Sequence, residues 1–168
     1  KRVLIVGDSV SMGWTPILAQ LLAPKNIIVR HVGQTIPTLQ NCTGTQPDNG
    51  CGVANAGNSC RGCWLGGATA TWDLIMFNFG LHDIERQTNS PQAPRAVPTE
   101  FYEQLLANMT ATLQTKTSRL VFITTTPMPE DWDTAPYRSN SDVEAYNAAA
   151  VDIAHSAGVP VADLYAFV

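Results

Sequence analysis

Val3-Leu4-Ile5-Val6-Gly7-Asp8-Ser9-Val10-Ser11-Met12-Gly13 changes character halfway along. Four branched apolar residues in a row, Val3 to Val6, read as a strand buried on both faces. Gly7 ends the strand, and a helix-compatible run begins at about Gly13. Ser9 therefore falls on the turn at the carboxyl end of a first strand. In open α/β sheets that is the edge where ligands bind. A hydroxyl there can face a substrate and also lie near the amino end of the next helix, whose N–H groups can stabilise an oxyanion. The plainer reading is a Ser/Gly bend in which Ser9 caps that helix.

Outward from this turn, strands and helices alternate. Trp14, Ile17, Leu18, Leu21 and Leu22 form a helical apolar stripe that Pro24 stops. Ile27 to Val32 is a second, β-branched strand. Residues from Gly33 to about Ser59 form a long irregular segment that reads as one wall of a site, with a short helix expected from Cys60 to Leu65. Trp72 to Phe79 is the third strand, followed by a polar loop from Asp83 to Pro98. Thr99 to Thr115 is an amphipathic helix and Arg119 to Thr124 the fourth strand. Ser141-Asp142-Val143-Glu144 reads as a capping box opening a helix to about Ala157, and Val159 to Asp163 is a fifth strand. Such alternation predicts one α/β domain over residues 1–168, a parallel sheet with right-handed crossovers.

Composition narrows the function. A net charge of −4, with only three lysines and no basic cluster, argues against nucleic acid or an anionic membrane surface as partner. No apolar run is long enough to span a bilayer. The four cysteines, Cys42, Cys51, Cys60 and Cys63, cluster in the irregular segment, so residues 33–62 read as a cysteine-containing insertion. Disulfides and a secreted protein are the expectation, helped by the sequons at Asn41 and Asn108. A four-thiolate zinc site is the sharper alternative; Cys60-Arg61-Gly62-Cys63 has suitable spacing, whereas Cys42 and Cys51 are too spread.

Gly-Asp-Ser-x-Ser-x-Gly, straight after an amino-terminal apolar strand, resembles the first block of the SGNH (GDSL-like) hydrolases. These are serine esterases, and the resemblance implies a flavodoxin-like three-layer α/β/α fold with a five-stranded parallel sheet in the order 2-1-3-4-5. It makes Ser9 the expected nucleophile. Gly-x-Ser-x-Gly, the nucleophile elbow of the other large α/β esterase class, occurs nowhere in the chain. Gly80-Leu81-His82-Asp83 stands where the family carries Gly-x-Asn-Asp, and a subgroup with Gly-Leu-His-Asp is the nearest likeness. The family's asparagine donates to the oxyanion. Here His82 takes that place, and an imidazole N–H can also donate. The resemblance thus implies an oxyanion hole of Ser9, His82 and a glycine N–H from the insertion. Gly50, Gly52 and Gly57 are candidates, and spacing back from Trp64-Leu65 favours Gly52. Asp8 and Asp83 are candidate substrate contacts, although Asp83 also suits a cap of the following turn.

The family's Asp-x-x-His block, which supplies the general base after the fifth strand, is not found before Val168, so the domain is expected to be cut short. Asp152-Ile153-Ala154-His155 matches those letters but should not be the catalytic pair. His155 lies about fourteen residues along the last long helix, roughly 20 Å from the Ser9 edge at about 1.5 Å per residue. His31, inside the second strand, is also set aside as a base. The resulting expectation is a serine esterase acting through an acyl-Ser9 intermediate. O-acetyl groups on carbohydrate, or small esters, are the expected substrates, with no cofactor and a monomeric protein. A non-catalytic ligand-binding domain of the same fold is the alternative.

Overall fold

The computed structural model describes residues 1–32, 65, 70–86, 88, 90–129 and 137–168. The cysteine-containing insertion, Gly52 and the short helix expected from Cys60 lie outside these residues. The strands are β1 (Arg2–Val6), β2 (Ile28–His31), β3 (Leu74–Phe77), β4 (Leu120–Ile123) and β5 (Val161–Ala162). They form one sheet in the order β2-β1-β3-β4-β5, every pair parallel. This is the order that the resemblance implies. Val6 pairs with Phe77, and the Asn78 N–H continues that ladder to the Val6 carbonyl at 3.0 Å. The ends of β1 and β3 are therefore level at the edge that carries Ser9.

Strand alternation assigns the helices to faces. Leu4, Val6, Ile75, Phe77 and Phe122 point into the larger core, against α2 (Thr99–Gln114) and α3 (Asn140–Ser156). Val3, Ile5 and Val29 point the other way, against Trp14, Leu18 and Leu22 of α1 (Ser9–Leu22). The result is a three-layer α/β/α arrangement. Tyr102, Tyr146, Phe77, Phe79 and Phe122 are among the largest fully buried side chains. Each contributes about 1.5–3 kcal/mol by leaving water. After α1 the chain turns through a 3-10 segment, Ala23–Lys25, that holds Pro24. Asn26, left-handed at φ 54°, then redirects it into β2.

Helix boundaries depart from the sequence expectation in three places. First, α1 begins at Ser9 rather than near Gly13, because the Asp8 carboxylate accepts the Val10 N–H at 3.0 Å and caps the helix itself. Ser9 is thus the first helical residue and not the cap. Second, α3 is capped by Ser139, whose Oγ accepts from the Asp142 N–H at 3.3 Å, so Ser141 lies inside the helix. Third, Asp163, expected as the end of the fifth strand, instead caps a short helix, α4 (Leu164–Phe167).

Candidate active site

The turn between β1 and α1 presents Ser9 in an exposed position at the first turn of a helix. The first N–H groups of a helix have no partner within it. Here the Asp8 carboxylate takes the N–H groups of Val10 and Ser11. The Met12 N–H goes to the Asp8 carbonyl at 3.1 Å. The Ser9 N–H has no partner among the described residues. The helix end therefore offers one free amide, on the same residue as the exposed hydroxyl. Gly7 makes this turn tight, since a Cβ there would lie 2.6 Å from Ser11 Oγ.

The second part of the site follows β3. Gly80, at φ 155°, turns the chain; a Cβ there would come 2.7 Å from Thr125 Oγ1. Its carbonyl accepts the N–H groups of Asp83 and Ile84, each at 3.0 Å, which sets His82 on a compact turn. The His82 side chain is 13% exposed, and its Nδ1 lies 3.8 Å from Glu85 Oε2. Its Nε2 is buried without a hydrogen-bond partner among the described residues. Such an orphan is costly and needs an explanation; a ligand atom is one. His82 also acts electrostatically on Asp8, so the imidazole lies in the neighbourhood of the Ser9 turn.

The loop carrying His82 is tied to α3 by buried ions. Asp142, with a side chain 3% exposed, pairs with Arg86 at 2.6 Å and with Arg95 at 2.5 Å. Burial pushes its carboxyl up. The hydrogen bonds from Arg95 and Ser139 and the charges of Arg95 and Arg86 outweigh burial and hold it below the ordinary value. Arg138 reaches the Leu81 carbonyl at 2.7 Å and Glu85 at 2.8 Å, on either side of His82. Nothing local in the sequence marks this network: its members are 47 and 56 residues apart.

Both aspartates expected to touch substrate are buried instead. Asp8 is 1% exposed and committed to the helix cap. Burial raises its carboxyl pKa, opposed by the charge of His82, the Val10 and Ser11 N–H groups, and His31. Asp83 is fully buried beneath the loop, where its charge adds to the burial that raises the Tyr102 and Tyr146 hydroxyls. Those phenols stay neutral donors: Tyr102 donates to the Phe79 carbonyl at 2.9 Å and Tyr146 to that of Val97. The Asp83 main chain ties the loop together, its N–H donating to the Gly80 carbonyl and its own carbonyl accepting the Val97 N–H at 3.1 Å. Asp152 and His155 are exposed, His155 in the last turn of α3, next to the chain that leads into the start of β5. That is the edge opposite Ser9. His31, set aside in the sequence, is completely buried with Nε2 2.6 Å from Ser11 Oγ. The exposed Arg30 between buried Val29 and His31 was the available signal, since alternation puts His31 in the inward phase. Among the described residues, no group of three or more His, Cys, Asp or Glu side chains is placed to hold a metal ion.

The parallel sheet thus brings an exposed serine after β1 and the turn of His82 after β3 to one edge. Residues 5–168 match the GDSL-like Lipase/Acylhydrolase family. The chain belongs to that family, among hydrolases of acyl esters. No curated protein matches it. Similar solved structures include LAE5, an alpha/beta hydrolase from the metagenome of Lake Arreo, with TM-score 0.72 and 17% identity over 98% of this chain and 77% of that one. The acetyl xylan esterase AlAXEase gives 0.68 and 13% over 99% and 79%. Axe2, an acetylxylan esterase from Geobacillus stearothermophilus, gives 0.68 and 15% over 99% and 77%. At these identities the likeness is one of fold.

Proposed function

We propose that this protein hydrolyses acyl esters through an acyl-Ser9 intermediate, with O-acetyl groups on carbohydrate as the substrate class. The observation that carries the reading is the exposed Ser9 hydroxyl with its own N–H free, in the neighbourhood of the orphaned Nε2 of His82. In this reading Ser9 Oγ attacks the ester carbonyl carbon as its proton passes to a general base. The carbonyl oxygen becomes an oxyanion, held by the Ser9 N–H and by His82 protonated on Nε2. A glycine N–H of the insertion, Gly52 by the sequence reading, adds a third donor. Collapse expels the alcohol, which takes the proton, and leaves the acyl group on Ser9. Water then repeats the sequence and releases the acid. Acetyl is favoured by the likeness to two acetylxylan esterases.

The test uses the full protein with a fluorophosphonate probe and an acetyl ester. Wild type should label at Ser9. Ser9→Ala should lose the label and about 10⁴–10⁶ in rate. His155→Ala, at the opposite edge, should retain both. Hydrolysis by Ser9→Ala at the wild-type rate overturns the assignment. Ester binding without label or turnover identifies a binding domain instead.

A further inference from the structure

We propose that Arg138 is a positioning residue for the oxyanion hole: by holding Glu85 away from Nδ1 of His82, it leaves the ring proton on Nε2. The proposal rests on the reading of His82 as an oxyanion donor.

A neutral imidazole carries one proton, so only one of its nitrogens donates. Which one is set by the hydrogen bond made at the other. Nε2 of His82 is buried with no partner among the described residues, so nothing there competes with a developing oxyanion for its proton. The opposite side of the ring decides the tautomer. Glu85 Oε2 lies 3.8 Å from Nδ1, beyond hydrogen-bonding distance. A carboxylate about 1 Å closer would accept Nδ1–H in a charge-assisted bond. The neutral ring would then have a bare Nε2, which repels an oxyanion instead of donating to it.

Arg138 prevents that approach. Its Nη2 donates to Glu85 Oε2 at 2.8 Å, the same oxygen that faces Nδ1. Its Nε donates to the Leu81 carbonyl at 2.7 Å. That carbonyl and the His82 N–H belong to one planar peptide unit, so the bond also fixes the backbone from which the ring hangs. A guanidinium is rigid and planar, with donors at fixed spacing. One group therefore sets both the His82 backbone and the Glu85 carboxylate. The arginine itself has little freedom: its side chain is 8% exposed, and it precedes Ser139, the cap of α3. Glu85, with a side chain 33% exposed, is free to swing toward Nδ1 once released. The loop is already joined to α3 by Asp142, through Arg86 and Arg95. What Arg138 adds is a grip on the two groups that flank His82.

The experiment reads the tautomer directly. Protonated and bare ring nitrogens differ in nitrogen-15 chemical shift, so the full protein, labelled in histidine, reports the state of each of its three histidines. His82→Asn identifies the His82 signals by their loss. At about pH 8, above the ordinary histidine value of about 6.5, wild type and Glu85→Met should show His82 protonated on Nε2. Arg138→Met should move the proton to Nδ1, and the double variant Arg138→Met with Glu85→Met should return it to Nε2. On p-nitrophenyl acetate, Arg138→Met should lower kcat by about 10–100-fold with KM nearly unchanged. That is less than the roughly 10²–10³ of a donor removed outright, because the proton can move back to Nε2 as the oxyanion forms. The double variant should recover most of the loss. Simple loosening of the loop would instead deepen it, since a second contact of the loop is then gone. A wild-type ring protonated on Nδ1, or on both nitrogens, overturns the proposal without recourse to any variant. An Arg138→Met ring that keeps its proton on Nε2 overturns it too, as does a double variant no more active than Arg138→Met at equal folded fraction. His82→Ala separates the two readings. Wild-type kcat there refutes the oxyanion role and this proposal with it. A loss of roughly 10²–10³ there, beside an unshifted tautomer in Arg138→Met, refutes the role of Arg138 alone.

Discussion

Removing the charge of Asp142 tests whether the site depends on the ion network between α3 and the loop after β3. Asp142→Asn keeps the shape of the side chain and one carbonyl oxygen. It loses the carboxylate that accepts from Arg86 Nη2 at 2.6 Å and from Arg95 Nε and Nη2 at 2.9 and 2.5 Å. Breaking a buried ion pair from one side costs about 3–5 kcal/mol. Arg95 is 32% exposed and can turn to water, and Arg86 keeps the Ala93 carbonyl at 2.9 Å, so part of that cost is recovered. About 2–4 kcal/mol remains after this discount. At roughly 2–4 °C per kcal/mol for a domain of this size, the melting temperature should fall by about 5–15 °C. The pH dependence follows from the lowered carboxyl. Its contribution is present above the unfolded value of 3.8 and is lost as the pH falls through the folded value. The gap between variant and wild type should therefore be full at neutral pH and close in acid. Thermal unfolding followed by circular dichroism from acid to neutral pH measures it. Amide exchange over residues 80–98 should quicken in the variant. A melting temperature within about 2 °C of wild type at neutral pH, with unchanged exchange in that loop, refutes the reasoning.

Two further predictions concern the site itself. His82→Ala should lose roughly 10²–10³ in kcat, the size of one oxyanion donor, whereas His82→Asn, which restores a donor, should keep substantial activity; steady-state kinetics that show equal, small effects return His82 to a structural role. Asp8→Asn retains an oxygen to cap α1 and removes a carboxyl whose pKa burial raises above 3.8. Because that raised value makes wild-type stability fall as pH climbs from 3.8 through the folded value, the variant should gain on wild type over that interval, read as the difference in melting temperature against pH.

The strands were legible because branched apolar runs such as Val3–Val6 and Leu74–Phe77 are short, dense and bounded by glycine or proline. Their order came with the family likeness carried by the Ser9 turn. Helix starts were less legible. Asp8 looks like part of a reactive motif and turns out to be a cap, and Ser139 and Ser141 compete for one role two positions apart. Ser9 and His82 stand out as candidates because each follows a strand at the edge where open α/β sheets bind ligands. Asp83 shares that place in the chain, but its complete burial carries no local sign in the sequence. His31 was passed over because a histidine within a strand carries no local sign of its partner. Ser11 lies 20 residues earlier and meets it only when β2 docks beside β1.

The register of β1 on β3 carries a consequence for how such a protein can evolve. Ser9 is held by α1 on one face of the sheet, and the turn of His82 is held by α3 on the other. What the two share is main-chain bonding: Val6 beside Phe77, and the Asn78 amide on the Val6 carbonyl. That bonding uses only N–H and C=O groups, which every residue except proline supplies. Side chains on either face can be exchanged, provided their volume and polarity pattern are kept, without moving one half of the site relative to the other. A protein built this way can replace most of its residues while its frame persists, and structures only 13–17% identical to this chain share its fold.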